Sequence, residues 1–193
     1  MSEEKAPVQK EDFDLLARFN EGDGDAFTLI VEKHSGPLIN FLYRYTRNQA
    51  ASEDIAQEAF LRLYKAAPEL RPGAKLSTII YKIAYNLAVD QARKDKSRGG
   101  LARIESLSTE DGKTHDPADR PDTAPDAIYE KGQRNREIAA MLTELPETQR
   151  LALILKVYEG RSYAEIAEIM DTSLSSVESL LFRARQSLVR KLK

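Results

Sequence analysis

The residues of this chain that could do chemistry are polar and basic, and they lie in two separate places. Asn86, Asp90 and Arg93 stand at i, i+4 and i+7, a spacing that puts an amide, a carboxylate and a guanidinium on neighbouring positions of one helix face. Just upstream lie Arg71 and Lys75 on either side of a Pro72-Gly73 turn, then Ser77, Thr78 and Lys82. Such a set could bind the phosphates of a polyanion. The second place is Ser162 to Arg185. There Ser162, Ser175, Ser176, Glu178, Ser179, Phe182, Arg183 and Arg185 are strung along two short amphipathic segments separated by the polar turn Asp171-Thr172-Ser173. Ile166, Ala167 and Met170 are expected to face inward from the first segment, and Leu174, Val177 and Leu181 from the second. That is the layout of a helix-turn-helix, whose second helix enters the major groove.

Each feature has a plainer reading. Asn86 could be a packing amide, and Asp90 with Arg93 an ion pair worth under about 1 kcal/mol. Arg71 and Lys75 could serve loop solubility, and the two amphipathic segments could be an ordinary helical hairpin.

Other chemistries find no residues. The chain has no cysteine, so disulfides and thiolate metal sites are excluded. His34 and His115 are far apart with no acidic cluster beside either, so no metal site is expected and no cofactor is implied. His34, beside Gly36-Pro37, reads as a helix-end residue. No Ser/His/Asp set, phosphate-binding loop or dinucleotide glycine motif is present, and no enzyme is expected. No apolar run approaches the ~18–20 residues that span a bilayer. The start, Met1-Ser-Glu-Glu-Lys, lacks the apolar stretch of a secretory signal, so a cytoplasmic protein is expected.

Charge is segregated along the 193 residues although the formal total is only −2. Residues 1–25 carry eight acids against three bases, and residues 61–103 carry ten bases against three acids. Residues 105–126 carry seven acids against two bases, and residues 171–193 five bases against two acids. Two basic blocks with acidic stretches before and between them suit two surfaces for a polyanion, or two solvated helix faces.

The elements that must position these residues are helical, and no strand-like alternation persists. Asp25 reads as the cap of a helix beginning Ala26-Phe27, and Gly36-Pro37 predicts a break or kink in it. A second helix is expected from Ser52, which caps it, with Glu53 and Asp54 in its first turn. Ile55, Ala59 and Leu63 form its inward stripe, flanked by Ala56 and Phe60, and Pro68 ends it. A long helix starts near Leu76 with a wide apolar face of Ile79, Ile80, Ile83, Ala84, Leu87 and Ala88. Residues 97–127 hold three glycines and three prolines among Ser, Thr and Asp, the composition of a flexible linker. Ile128 to Leu145, a Leu151–Val157 segment stopped by Gly160, and the two Ser162–Leu192 helices follow. The expected fold is all-α: an acidic segment 1–24, a helical domain 25–98, a linker 99–127, and a helix-turn-helix domain 128–193.

In this order the motifs become specific. The chain resembles the extracytoplasmic-function sigma factors of bacterial RNA polymerase, in the sigma-70 superfamily. Ser52-Glu-Asp-Ile-Ala-Gln-Glu-Ala-Phe60 is similar to the family's polymerase-binding helix, which implies contacts to the clamp of the largest catalytic subunits by Asp54, Gln57, Glu58, Phe60 and Leu61. Leu76 to Arg93, with its Asn-x3-Asp-x2-Arg spacing, resembles the helix that opens and reads the −10 element. The helix-turn-helix is similar to the domain that reads −35. The resemblance implies promoter-specific transcription initiation, promoter DNA and core polymerase as partners, control by an anti-sigma factor, and a monomer when free. Two departures stand out. Ile79 takes the place of a usual Trp, and Glu178 and Leu180 stand where Lys and Arg are common. Glu178 could instead accept from a cytosine N4.

Physical reach agrees with that resemblance. Promoter elements about 17 base pairs apart are separated by roughly 58 Å at ~3.4 Å per pair. A 29-residue linker extends to at most roughly 100 Å and can bridge them. The rival readings are a stand-alone helix-turn-helix regulator, which would need a dimerisation surface that the sequence does not offer, and a helical adaptor that binds only proteins.

Overall fold

A computed structural model describes residues 6–71, 75–98 and 140–191 of the chain. The linker expected over 99–127, and most of the helix expected from Ile128, lie outside the described residues. Those described are helical and contain no strand. The elements are α1 (Ala6–Asn20), α2 (Gly24–Thr46), α3 (Gln49–Ala66), a single 3-10 turn (Ala67–Glu69), α4 (Leu76–Arg98), α5 (Glu147–Val157), α6 (Tyr163–Ile169) and α7 (Leu174–Lys191).

The caps fall a few residues earlier than the sequence predicts. Asp23, not Asp25, caps α2: its carboxylate accepts from the N–H groups of Asp25 at 3.1 Å and Ala26 at 3.3 Å. The side-chain bonds from Arg18 to that carboxylate hold its pKa below the usual range. Asn48, not Ser52, caps α3, accepting from Ala51 N–H at 3.0 Å. Ser52 is buried one turn inside, where its hydroxyl donates to the Asn48 carbonyl at 2.7 Å. In both cases the sequence holds two capping residue types two to four positions apart, and the earlier one lengthens the helix, by two residues in α2 and about a turn in α3.

Helix α2 does not end at Gly36-Pro37 but runs on to Thr46. Proline removes one i→i−4 bond. The loss falls on an exposed stretch, because Gly36 and Pro37 face solvent, while Ile30, Leu38, Phe41 and Leu42 on the opposite side are fully buried and fix both halves to one core.

Helix α1 is more than an acidic leader. Leu15 and Leu16 are buried against α2, and Asp12 goes in with them. Its carboxylate meets Lys33 Nζ at 2.7 Å and His34 Nε2 at 3.1 Å. His34 is therefore a buried mid-helix residue and not the helix end expected from sequence. Burial pushes its pKa down, outweighing the pull of the Asp12 charge, so the imidazole is neutral at pH 7.

Helices α2, α3 and α4 enclose a core of Phe41, Leu42, Ala59, Leu63, Ile80 and Ala84, and α5–α7 a second cluster of Leu151, Leu155, Ile166, Ile169, Val177 and Leu181. The second cluster packs on the first: α5 lies against α2, and α6 against α4. Tyr81 and Tyr45 are buried at that junction.

Candidate nucleic-acid interface

Helix α3 turns Ile55, Ala56, Ala59 and Leu63 into the core, so Asp54 and Gln57 face solvent, and Leu61 is 48% exposed. Glu58 is half-buried and accepts from Arg62 at 2.8 Å across one helical turn. Beside it a groove of about 380 Å³ runs between α3 and α4, lined by Asp54, Glu58, Arg62, Leu87 and Asp90 among others. Phe60 departs from expectation. It is buried with the inward stripe, one turn after Ala56 and three residues before Leu63, and has little surface left for a partner.

Lys82, Asn86 and Arg93 lie at i, i+4 and i+11 on α4, which brings them onto one stripe of the helix. Lys75 continues that stripe one residue before α4 begins. Asn86 and Arg93 are exposed, so Asn86 is not the packing amide that its position also allowed. Arg71 is exposed at the start of the loop, whose residues 72–74 lie outside the described residues. Thr78 does not belong to the surface: it is 1% exposed, and its hydroxyl is buried with no hydrogen-bond partner. It lies one turn before Lys82, on the side of α4 that also carries the buried Tyr81 and Tyr85.

The remaining three residues of this set are already held by the second domain. Lys75 Nζ donates to Glu165 Oε1 at 2.8 Å, Lys82 Nζ to Asp171 Oδ1 at 3.2 Å, and Arg161 Nη1 to the Ser77 hydroxyl at 3.0 Å. Arg161 also stacks over the Tyr81 ring at 4.4 Å, while the Tyr81 hydroxyl donates to Glu159 at 2.7 Å. Burial and then the Glu159 charge push the Tyr81 pKa up, so the phenol keeps its proton. Arg44 Nη1 reaches Glu159 at 3.5 Å and covers the Tyr158 ring at 4.6 Å. Farther along, the Tyr45 hydroxyl donates to Glu147, and Arg150 covers the Tyr45 ring at 4.8 Å. Sequence reasoning missed Arg44, Glu159 and Arg161. Nothing local marks them: each is a charged residue at a helix end or in a loop.

The helix-turn-helix is well capped. Ser162 and Glu165 form a reciprocal capping box, with Glu165 N–H donating to the Ser162 hydroxyl at 3.2 Å and Ser162 N–H to the Glu165 carboxylate at 2.9 Å. The turn is closed by Thr172 N–H to the Ala167 carbonyl at 2.9 Å, with Asp171 at a left-handed φ of 51°. The Ser173 hydroxyl accepts from Ser176 N–H at 3.2 Å and starts α7. Val177, Leu181 and Ala184 make the inward stripe of α7, whereas Leu174, expected inside, is 49% exposed in its first turn. Ser175, Ser179, Phe182 and Arg183 occupy the open face; Glu178 and Arg185 flank it, also exposed, and Ser176 is half-buried. Phe182 is 61% exposed, which puts an aromatic ring in the middle of a polar helix face.

The two halves match two family models in the same order, sigma-70 region 2 over residues 30–98 and sigma-70 region 4 over residues 135–188. Curated relatives run nearly the full length. The ECF RNA polymerase sigma-E factor of Escherichia coli is 31% identical over 181 residues, 92% of this chain and 92% of that protein. This chain belongs to the extracytoplasmic-function sigma factors. The sigma factor SigW of Bacillus subtilis is 30% identical over 178 residues, 92% of this chain and 95% of that one. The RNA polymerase sigma-H factor of Pseudomonas aeruginosa is 29% identical over 187 residues, 96% and 95% of the two chains. Among solved structures the fold is similar to CnrH in complex with the cytosolic domain of CnrY (TM-score 0.66, 21% identity, 94% of this chain and 97% of that one). It is also similar to RpoE of Bartonella quintana in complex with the anti-sigma factor NepR (TM-score 0.64, 20% identity, 86% and 96%). This sigma factor directs promoter-specific transcription initiation with core RNA polymerase. Regions 2 and 4 present together set aside the stand-alone regulator.

Proposed function

We propose that the surfaces divide the work of initiation as follows. The α3 face of Asp54, Gln57, Glu58 and Leu61, with the groove beside it, docks on the clamp of the largest polymerase subunits. The α4 stripe of Lys75, Lys82, Asn86 and Arg93, with Arg71 and Ser77, receives the opened −10 strand: cations take the phosphates, and the Asn86 amide reads a base edge. The open face of α7 reads −35 as duplex through Ser175, Ser176, Ser179, Phe182 and Arg183. Glu178 offers an acceptor to a cytosine amine, and Arg185 and the Ser162 end of α6 border the phosphates. The polymerase supplies the catalysis, and this chain is not itself an enzyme. It works in the cytoplasm, and an anti-sigma factor covers these surfaces until a signal arrives. Among the described residues no helix is long and apolar enough to cross a membrane.

The observation that carries this reading is that region 2 and region 4 each keep one polar helix face turned away from a well-filled core. Run-off transcription from a promoter library, with core polymerase and with this protein added or withheld, tests it. A folded Asp54→Ala/Gln57→Ala double variant is expected to lose core polymerase in a pull-down while keeping its helical circular dichroism. Unchanged capture of core polymerase by that variant overturns the docking assignment.

A further inference from the structure

We propose that the α7 face selects a −35 duplex in which one strand carries a cytosine flanked by thymines, with Glu178 taking the cytosine amine and Leu174 and Phe182 taking the thymine methyl groups. The inference rests on the reading of this face as the −35 site and goes beyond it, because it names the bases that the face accepts.

Three observations carry it. The first is a stripe of side chains that the core does not use. Leu174, Glu178 and Phe182 stand at i, i+4 and i+8 on α7, and Leu174 and Phe182 are 49% and 61% exposed. Val177, Leu181 and Ala184 fill the inward side, so the two apolar side chains are surplus to packing. A step of four residues is about 6 Å of helix, or roughly two base-pair rises, which sets all three side chains within one stretch of major groove. The second is what the stripe lacks. Leu174 to Phe182 holds no Lys or Arg, the residues that read guanine through O6 and N7, and Glu178 is in no ion pair among the described residues. Arg183, the first cation of α7, lies about 140° around the helix from Glu178, a position that suits it to the phosphate backbone. The third is the chemistry of an unpaired carboxylate, which only accepts hydrogen bonds. Guanine and thymine present acceptors at O6 and O4 and repel it. Adenine presents its N6 amine beside the N7 acceptor, so one carboxylate oxygen would face a lone pair. Cytosine presents its N4 amine with no acceptor at the groove edge. Thymine methyl groups give Leu174 and Phe182 the apolar contact that they lack in the free chain.

Selection from a promoter library randomised over −35, with the full chain bound to core polymerase, identifies the element. Wild type is expected to enrich a strand with a cytosine between thymines, the thymines within about two base pairs on each side. Fluorescence anisotropy of a labelled promoter duplex carrying the enriched element, with the same holoenzyme, then tests each contact. Replacing the C·G pair by T·A is expected to weaken binding by wild type about ten-fold or more. Each thymine→uracil change, which removes one methyl group, is expected to weaken it about four-fold. Glu178→Gln is expected to bring the preference for cytosine over thymine below about two-fold, because a carboxamide donates to O4 as readily as it accepts from N4. Phe182→Ala is expected to abolish the response to one uracil, and Leu174→Ala the response to the other. All three positions are exposed, so the variants keep the fold, which circular dichroism checks. No enriched −35 sequence with wild type overturns the −35 reading of α7 and this inference with it. An enriched sequence whose cytosine preference survives Glu178→Gln, or whose uracil forms bind as tightly as the thymine forms, overturns the base assignment and leaves the −35 reading standing. Loss of core-polymerase capture by Phe182→Ala with the selected element unchanged puts a protein on the stripe and overturns the assignment too.

Discussion

The two surfaces proposed to meet DNA differ in what they need in order to be ready. The α7 face is assembled by its own domain. Val177, Leu181 and Ala184 anchor it from behind, the Ser162–Glu165 capping box sets the helix before it, and Ser173 starts it. The outward side chains of this face stay exposed. The α4 stripe is equally well anchored by Ile80, Ala84 and Ala88, yet Lys75 and Lys82 on it, and Ser77 beside it, are bound by the other domain. A face of serines, one aromatic ring and flanking charges of both signs attracts no particular partner within the molecule. A cationic stripe that suits phosphates also accepts carboxylates from its own chain when they are brought near. The lesson is that a lysine stripe is open or taken according to what packs beside it, whereas the α7 face is set by the folding of its own helices.

The largest expected effect strikes the self-sufficient face. Ile166→Ala empties a fully buried position between α6 and α7 and should cost about 2–5 kcal/mol of stability in the second domain. Binding to −35 duplex should collapse with it, while capture of core polymerase by α3 survives. Thermal melting with duplex anisotropy and a polymerase pull-down checks this. Joint loss of both activities would show that the domains do not fold independently, and the comparison breaks.

A smaller effect is expected on the other surface. Asn86 is exposed on the α4 stripe. Asn86→Ala should leave −35 duplex binding intact and weaken open-complex formation by about 1–3 kcal/mol, the size of a lost base contact. Part of the defect should persist on a template already unpaired at −10. Permanganate footprints of unpaired thymines on duplex and bubble templates measure it, and identical footprints for variant and wild type would return Asn86 to a passive role.

The smallest effect sharpens the boundary between surface and core. Because Thr78 is buried with an unpartnered hydroxyl, Thr78→Val should leave initiation unchanged and raise stability by about 1 kcal/mol. A drop in run-off transcript from a stably folded Thr78→Val would place that side chain on the DNA after all.

Most of the helices were legible because their apolar spacing is regular. Ile55, Ala59 and Leu63 are buried as their stripe requires, and so are Val177 and Leu181. Errors clustered where local rules compete. Asp23 and Asp25 are both capping residues, as are Asn48 and Ser52, and sequence cannot say which carbonyl begins the ladder. Pro37 is a helix breaker by itself, but its solvent side leaves Leu38 and Phe41 to hold the helix together. His34 looked peripheral because its partner, Asp12, is twenty-two residues away on another helix.

Periodicity, capping residue types and the order of motifs determined, from sequence alone, an all-helical chain with a polymerase-type helix, a basic stripe and a helix-turn-helix. These signals are local, since each depends on residues within a turn or two of one another. Which polar faces remain open was decided only by tertiary structure. Glu165 stands ninety residues from Lys75, and Arg161 eighty-four from Ser77. Electrostatic pairing acts through space and leaves no periodic trace in the chain, so a lysine that meets a carboxylate and one that awaits a phosphate read the same until the fold brings the two domains together.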